Sequence, residues 1–251
     1  MTVGRDRRCD RLVHLIALAL FCLSVEDAGA WQNLIDKNTF AHWRSPSGKT
    51  DIAGAWSIHD GVLTVKPYVH RRTDLWSIEE YGDFELEWEW KATKGANSGV
   101  KYWVQNFSTL IVVKENEEWR AVSDPTQAKA EEPTLEYSRG PEYQMADDEY
   151  EPTSLKRRDS RAGGLYSLFP PSPETVKPHG KWNRSRLFVK QGRFEHWLNG
   201  VKVLEFDRAK LDAQIEKVQP NYRIRKARGP IALQYHQTQV SFRRMRIRRL
   251  D

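Results

Sequence analysis

The chain is 251 residues long, carries 40 Lys and Arg against 34 Asp and Glu for a formal charge of +6, and has only two cysteines. That length suits one large domain rather than two. The cysteine count excludes a disulfide scaffold or a cysteine-rich zinc site, and the basic clusters at 156–161 and 243–249 read as solvated loop or strand rather than a nucleic-acid stripe.

Residues 1–30 read as a secretory signal peptide. Arg5, Arg7, Arg8 and Arg11 precede the apolar run 12–25, which closes in Ala28-Gly29-Ala30. The run is shorter than the ~20 residues that cross a bilayer. Cys9 and Cys22 both fall inside it, so the processed chain, 31–251, has no thiol for a nucleophile or a bridge. Bulky Phe21 argues against a lipid anchor on Cys22. The expectation is a single domain over 31–251, periplasmic or secreted, with no membrane insertion after cleavage and no nucleic-acid partner. The oligomeric state is not encoded legibly.

Period-two alternation dominates the processed chain. The turn dipeptide Asp60-Gly61 in "WSIHDGVLTV" accepts positive φ and predicts a hairpin. In 83–91, Phe84, Leu86, Trp88 and Trp90 share one face and Glu85, Glu87 and Glu89 the other, the pattern of a half-buried antiparallel strand. The three glutamates read as a solvated face. A glycosidase pair needs unequal carboxyls placed on either side of a bond. Strands are expected at 99–105 and 141–146, separated by a long loop over 106–139 that hides a short strand at 110–113. A second long loop covers 150–161. Strand 185–191 precedes a hairpin turning at Asn199-Gly200, and "DRAKLDAQIEKV" is the one helical stretch, with Leu211, Ile215 and Val218 on one face. Strands 229–236 and 239–248 close the chain, the last with a bulge at Arg243-Arg244 where the apolar phase slips. Short strands, turn signals and little helix predict an all-β sandwich.

The alternation also sorts polar side chains. In "GPEYQMADDE", Tyr143 and Met145 point to the core and Glu142 and Gln144 to the opposite face, where a carboxylate and an amide suit sugar hydroxyls. Asp147, Asp148 and Glu149 read as a solvated exit turn. In "IALQYH", Gln234 and His236 alternate with Leu233 and Tyr235. A two-residue turn at Asn199-Gly200 pairs His196 with Val203 and leaves Glu205 diagonal to it. Two readings of His196 remain open: a core histidine satisfied by one hydrogen bond, or a base held in one tautomer. Ten tryptophans are present; Trp76 and Trp103 are candidates for stacking on a sugar ring. Asn183 in "WNRS" is a glycosylation sequon.

Taken in order, "WSIHDGVLTV", "LWSIEEYGDFELEWEWK", "NSGVKYWV", "GPEYQMADDE", "AGGLYSLFPP", "KWNRSRLFVKQGRFEHWLNGVKVLEF" and "GPIALQYHQTQVSFRRMRIRRL" resemble the 3-keto-disaccharide hydrolase domain family over nearly all of 31–250. The resemblance implies a concanavalin-like, jelly-roll β-sandwich with a carbohydrate cleft. It implies cleavage of glycosides already oxidised to a ketone at C3, by C2 proton abstraction and elimination or by net hydrolysis. Such chemistry needs a base near C2, a stabiliser for the enolate oxygen and an acid for the leaving group. No cofactor is certain; a divalent metal is one candidate stabiliser.

Carried over residue by residue, the resemblance points to Glu142, His196 and His236 as catalytic candidates, with a histidine as base and Glu142 as acid or metal ligand. Gln144, Gln234, Asn97 and Tyr166 are the expected substrate-binding residues. The chain departs from the family in three places: "LQYHQ" stands where many members have "LQDHG", "YEPTSLKRR" follows "DDE", and 106–139 is inserted. The first departure favours the alternative of a non-catalytic, lectin-like carbohydrate-binding module.

Overall fold

A computed structural model describes residues 29–115, 118–122, 133–147, 149 and 158–251. Residues 1–28 of the expected signal peptide, Asp148 and most of the 150–161 loop lie outside the described residues. Two short strands, β1 (Gln32–Asn33) and β2 (Trp43–Arg44), precede one turn of helix, α1 (Ile52–Ala55), whose first turn is capped by the Asp51 carboxylate. Then come β3 (Trp56–His59), β4 (Val62–Val65), β5 (Arg71–Thr73), β6 (Leu75–Tyr81), β7 (Phe84–Ala92) and β8 (Asn97–Lys101). They are followed by β9 (Asn106–Glu115), β10 (Glu118–Val122), β11 (Thr134–Arg139) and β12 (Glu142–Ala146). The last elements are β13 (Asn183–Lys190), β14 (Arg193–Leu198), β15 (Val201–Asp207), α2 (Arg208–Val218), β16 (Gly229–Leu233) and β17 (Val240–Arg249).

These strands form three sheets. The largest runs β15-β14-β13-β7-β17-β4-β3, with β1 added on β17. A five-stranded sheet runs β12-β8-β16-β6-β2, and a smaller one runs β10-β9-β11-β5. The two larger sheets are the layers of an antiparallel sandwich. Phe84, Leu86, Trp88 and Trp90 of β7 point inward, and Trp88 meets β12: its ring lies edge to face with Tyr143 at 4.9 Å, and its Nε1 sits 3.3 Å from Met145 Sδ.

The predicted turns are present for the reason given. Asp60, Gly61, Asn199 and Gly200 all take positive φ, as a two-residue turn matched to strand twist requires. The bulge in β17 falls between Arg243 and Arg246, with Arg244 at φ 50°. Helix α2 starts at Arg208 because the Asp207 carboxylate accepts the Lys210 N–H, and it buries Leu211 and Ile215.

Three expectations are corrected. The described residues of 106–139 form three strands rather than one loop: β9, which contains the expected short strand, pairs with both β10 and β11, and β11 pairs in parallel with β5. The β14–β15 hairpin keeps Leu198 opposite Val201, but a bulge after His196 moves its partner to Leu204 and sets Phe194 opposite Phe206. Asn183 is buried, its side-chain oxygen accepting the Lys177 N–H and the Asn199 amide, so the sequon offers no exposed acceptor.

Candidate active site

On β8 and β12 the alternation is strict. Their antiparallel register sets Glu142 opposite Lys101, Gln144 opposite Gly99 and Ala146 opposite Asn97, so all these residues share the outer face of the five-stranded sheet. Their neighbours Ser98, Val100, Tyr143 and Met145 take the core side. Gln234 joins the same face directly after β16: its N–H donates to the Gly99 carbonyl at 2.9 Å, and its Nε2 lies 3.5 Å from Glu142 Oε2. The Glu142 side chain lies across Gly99. A β-carbon at 99 would come within 2.3 Å of Glu142 Oε1, so this position has to be glycine for the carboxylate to lie where it does.

Lys101 is the centre of the site. It is only 1% exposed, and its ammonium donates to Asp74 Oδ2 at 3.2 Å and to the Ser138 carbonyl at 3.1 Å. Glu142 Oε2 is 3.9 Å away, and the ammonium sits 3.6 Å from the centre of the Tyr137 ring. Asp74 is fully buried and held by two backbone donors, Ser138 N–H at 2.9 Å and Tyr235 N–H at 2.8 Å. Burying a lone charge is prohibitive, and removing one member of a buried pair costs about 3–5 kcal/mol, so Asp74 and Lys101 are mutually required. Burial alone would pull the Lys101 pKa down. Asp74, then Tyr137 and Glu142, more than reverse that, and the amine stays charged.

Glu142 experiences the opposite balance. Burial raises its pKa, Lys101 lowers it and Asp74 raises it again, leaving the carboxyl at about 7. A group with that value is half-ionised near neutrality, where a general acid or base works best. Around it are buried polar atoms with no hydrogen-bond partner among the described residues: Asn97 Oδ1, Gln144 Nε2 and Gln234 Oε1. Such atoms each cost free energy until a ligand supplies the missing bond.

The remaining predicted residues divide. The Tyr166 N–H donates to the Glu142 carbonyl at 3.0 Å, and Tyr166, Glu142, Tyr137 and Tyr222 border a small cavity of about 100 Å³. His236 is half-buried, two positions past Gln234, and its pKa is lowered chiefly by burial, with Lys101 lowering and Asp74 raising it. His196 is not part of this group. It lies in the core between the sheets, 0% exposed, with Nδ1 2.9 Å from the Gly163 carbonyl, Nε2 3.2 Å from the Tyr102 hydroxyl and the Tyr143 ring at 4.7 Å. Burial holds its pKa down to about 4, against the pull of two backbone carbonyls. The β15 bulge also places Glu205 on the far face, with Arg193 and Lys202, and away from this ring.

Asp147 is buried rather than solvated, accepting the Gly95 N–H at 2.7 Å, whereas Glu149 is exposed and pairs with Lys94. Trp103 belongs to the core and donates to the Gly82 carbonyl. Trp76 lies on the site's face, but its indole is packed: Nε1 donates to Ser138 Oγ at 2.6 Å and Phe107 meets it edge-on at 5.8 Å. Thus β11 and β9, from the inserted segment, cover this end of the sheet.

Sequence reasoning missed Asp74 and Lys101. A signal existed for Lys101, which is in phase with Asn97 and runs directly into the apolar Tyr102-Trp103-Val104. Asp74 gave none, because its partners are backbone amides brought together only by folding. Among the described residues, no group of three or more His, Cys, Asp or Glu side chains is arranged to hold a metal ion. The donor set here does not fit one either, since the Lys101 ammonium takes the cation's place between the Asp74 and Glu142 carboxylates.

The profile of the 3-keto-alpha-glucoside-1,2-lyase-like domain matches residues 30–248. A Bacteroides thetaiotaomicron protein named 3-keto-disaccharide hydrolase is 30% identical over 188 residues, which span 72% of this chain and 59% of that protein. Among solved structures, a Parabacteroides distasonis protein with a provisional glycosyl hydrolase designation is 27% identical, with a TM-score of 0.66, over 89% of this chain and 94% of that one. A second protein of the same organism and designation, 24% identical with a TM-score of 0.56 over 88% and 99% of the two chains, shares the fold. With its sandwich architecture and a profile match over almost the whole described chain, the protein belongs to the 3-keto-alpha-glucoside-1,2-lyase-like domain family.

Proposed function

We propose that this protein cleaves glycosides carrying a ketone at C3, beginning with removal of the proton at C2. The observation that carries the reading is the pair formed by Glu142, poised near neutrality, and Lys101, a buried ammonium 3.9 Å from it. The name of the Bacteroides relative supports the substrate class.

In this reading ionised Glu142 takes the C2 proton, which the adjacent ketone acidifies. The electron pair left at C2 is delocalised onto the C3 oxygen, where the Lys101 ammonium stabilises the negative charge without reorganisation. As the ketone re-forms, the C1–oxygen bond breaks with formation of a C1–C2 double bond, and the proton on Glu142 passes to the departing oxygen. Water then adds across the double bond to complete net hydrolysis. Gln144, Gln234 and Asn97 supply hydrogen bonds to sugar hydroxyls through the atoms that lack partners. His236, on the same stretch as Gln234, is the second candidate base. His196 serves packing. Lys101 fills the role of charge stabiliser, and no step is routed through a metal.

We also infer export to the periplasm or outside, on the strength of the arginine-flanked apolar leader. The test of function is turnover of a 3-keto-glucoside with a chromogenic leaving group, beside its unoxidised parent. Release from the keto compound alone is expected, with a pH limb near 7 that disappears in Glu142→Gln together with a loss of about 10²–10⁴-fold in rate. Equal turnover of both compounds, or wild-type rates in Glu142→Gln, would refute the assignment; binding without turnover would favour the lectin-like alternative.

A further inference from the structure

The outer face of the large sheet, on the opposite side of the sandwich from Glu142, carries a second ordered set of charges. Glu85, Glu87 and Glu89 project from β7, and each lies between two guanidiniums. Glu85 is held by Arg186 and Arg248, Glu87 by Arg184 and Arg246, and Glu89 by Arg243 and Arg244. The pairing follows the register: on β17, Arg243, Arg246 and Arg248 stand directly opposite Glu89, Glu87 and Glu85. The β17 bulge adds Arg244, and β13 adds Arg184 and Arg186 from the other side.

Three carboxylates cannot neutralise six guanidiniums. Each rung keeps one excess positive charge, and alternate residues repeat every ~7 Å along a strand. On the Glu87 and Glu89 rungs the excess is solvent-facing: the side chains of Arg184 and Arg244 are 63% and 73% exposed, whereas Arg186 and Arg248 on the Glu85 rung are about one-third exposed. Arg184, Arg244 and Arg246 border a depression of about 690 Å³ on this face. Aromatic rings hold the rows at either side, with Arg243 4.0 Å from the Trp182 ring centre and Arg246 4.4 Å from that of Trp31.

We propose that this ladder is a non-catalytic docking surface for a carboxylated polysaccharide, a polymer of uronic-acid type, independent of the chemistry at Glu142. The guanidinium forks already bind carboxylates in the folded chain, which identifies the chemistry they accept. A row of cations stepping along paired strands suits an extended chain that carries anions at intervals. Among the described residues, the large exposed apolar side chains, Tyr68, Ile78, Val201 and Val218, all lie off β7, β13 and β17.

The test is binding of polygalacturonate to the full chain at low and moderate salt. In Arg184→Gln/Arg186→Gln/Arg244→Gln each glutamate keeps one guanidinium, from Arg246, Arg248 or Arg243, which preserves the fold while neutralising every rung. Affinity is expected to fall about tenfold or more and its salt dependence to become shallower. The charge-matched control Arg223→Gln/Arg225→Gln/Lys226→Gln and Glu142→Gln should both bind as wild type. Should the triple variant unfold, Arg244→Gln alone is expected to weaken binding measurably. The proposal is overturned by unchanged binding in a folded ladder variant, by an equal loss in the control triple, or by tighter binding of neutral dextran, duplex DNA or anionic vesicles.

Discussion

His196 and Glu142 are both fully buried polar groups on strands, yet their surroundings assign them different work. His196 has each ring nitrogen beside one neutral partner and aromatic rings around it, so its neutral form is favoured. With the folded pKa near 4 and the ordinary value near 6.5, its contribution to stability is complete above pH 6.5 and is lost as pH falls from there toward 4, amounting to about 3 kcal/mol at most. An NMR titration should therefore show the His196 ring uncharged at pH 5.5, with the unfolding free energy falling over that window. A midpoint near 6.5 in the folded protein would contradict this placement. From sequence, both readings of His196 were open because its hairpin is apolar on either reading. The bulge separates Glu205 from the ring and leaves the histidine among core partners; its mark in the sequence is the change of apolar phase from Val201 and Val203 to Leu204 and Phe206, which a register counted from the turn alone passes over.

At the scale of elements, the site depends on how β8 meets β12. Gly99 faces Gln144 in the register, and its missing side chain is the space over which Glu142 lies. Gly99→Ala should displace the Glu142 carboxylate, lowering turnover at least about tenfold and costing about 1–3 kcal/mol of stability if the neighbours shift to accommodate it. Kinetics and denaturant unfolding on the same preparation check both parts, and a variant with wild-type rates would show that Glu142 need not lie across residue 99. The alternation in "GPEYQMADDE" made the Glu142 and Gln144 face legible, since period two leaves no other choice when Tyr143 and Met145 are buried. The covering of that face was not legible. Strands β9 and β11 come from an acid- and proline-rich insertion whose pairing partners, β5 included, are remote in sequence.

For the whole molecule, the two faces of the sandwich carry opposite electrostatic designs. One buries Asp74, Lys101 and Glu142 among amides that each keep one atom without a partner among the described residues; the other covers a glutamate row with guanidiniums that face solvent. The sandwich itself was readable from alternation, turn dipeptides and the scarcity of helix, because those are local signals. Asp74 was not, since its partners are backbone amides joined only by long-range pairing, and the phase of Lys101 on its strand hinted at burial without naming the carboxylates it meets. The central claim is that the reaction begins at C2, and it is tested most directly by running turnover of a 3-keto-glycoside in D₂O and observing C2 of the sugar product at early times. The account predicts that the original C2 protium is lost, replaced by solvent deuterium when water has added. Retention of that protium through complete turnover would show that the glycosidic bond breaks without proton abstraction and would contradict the role given to Glu142.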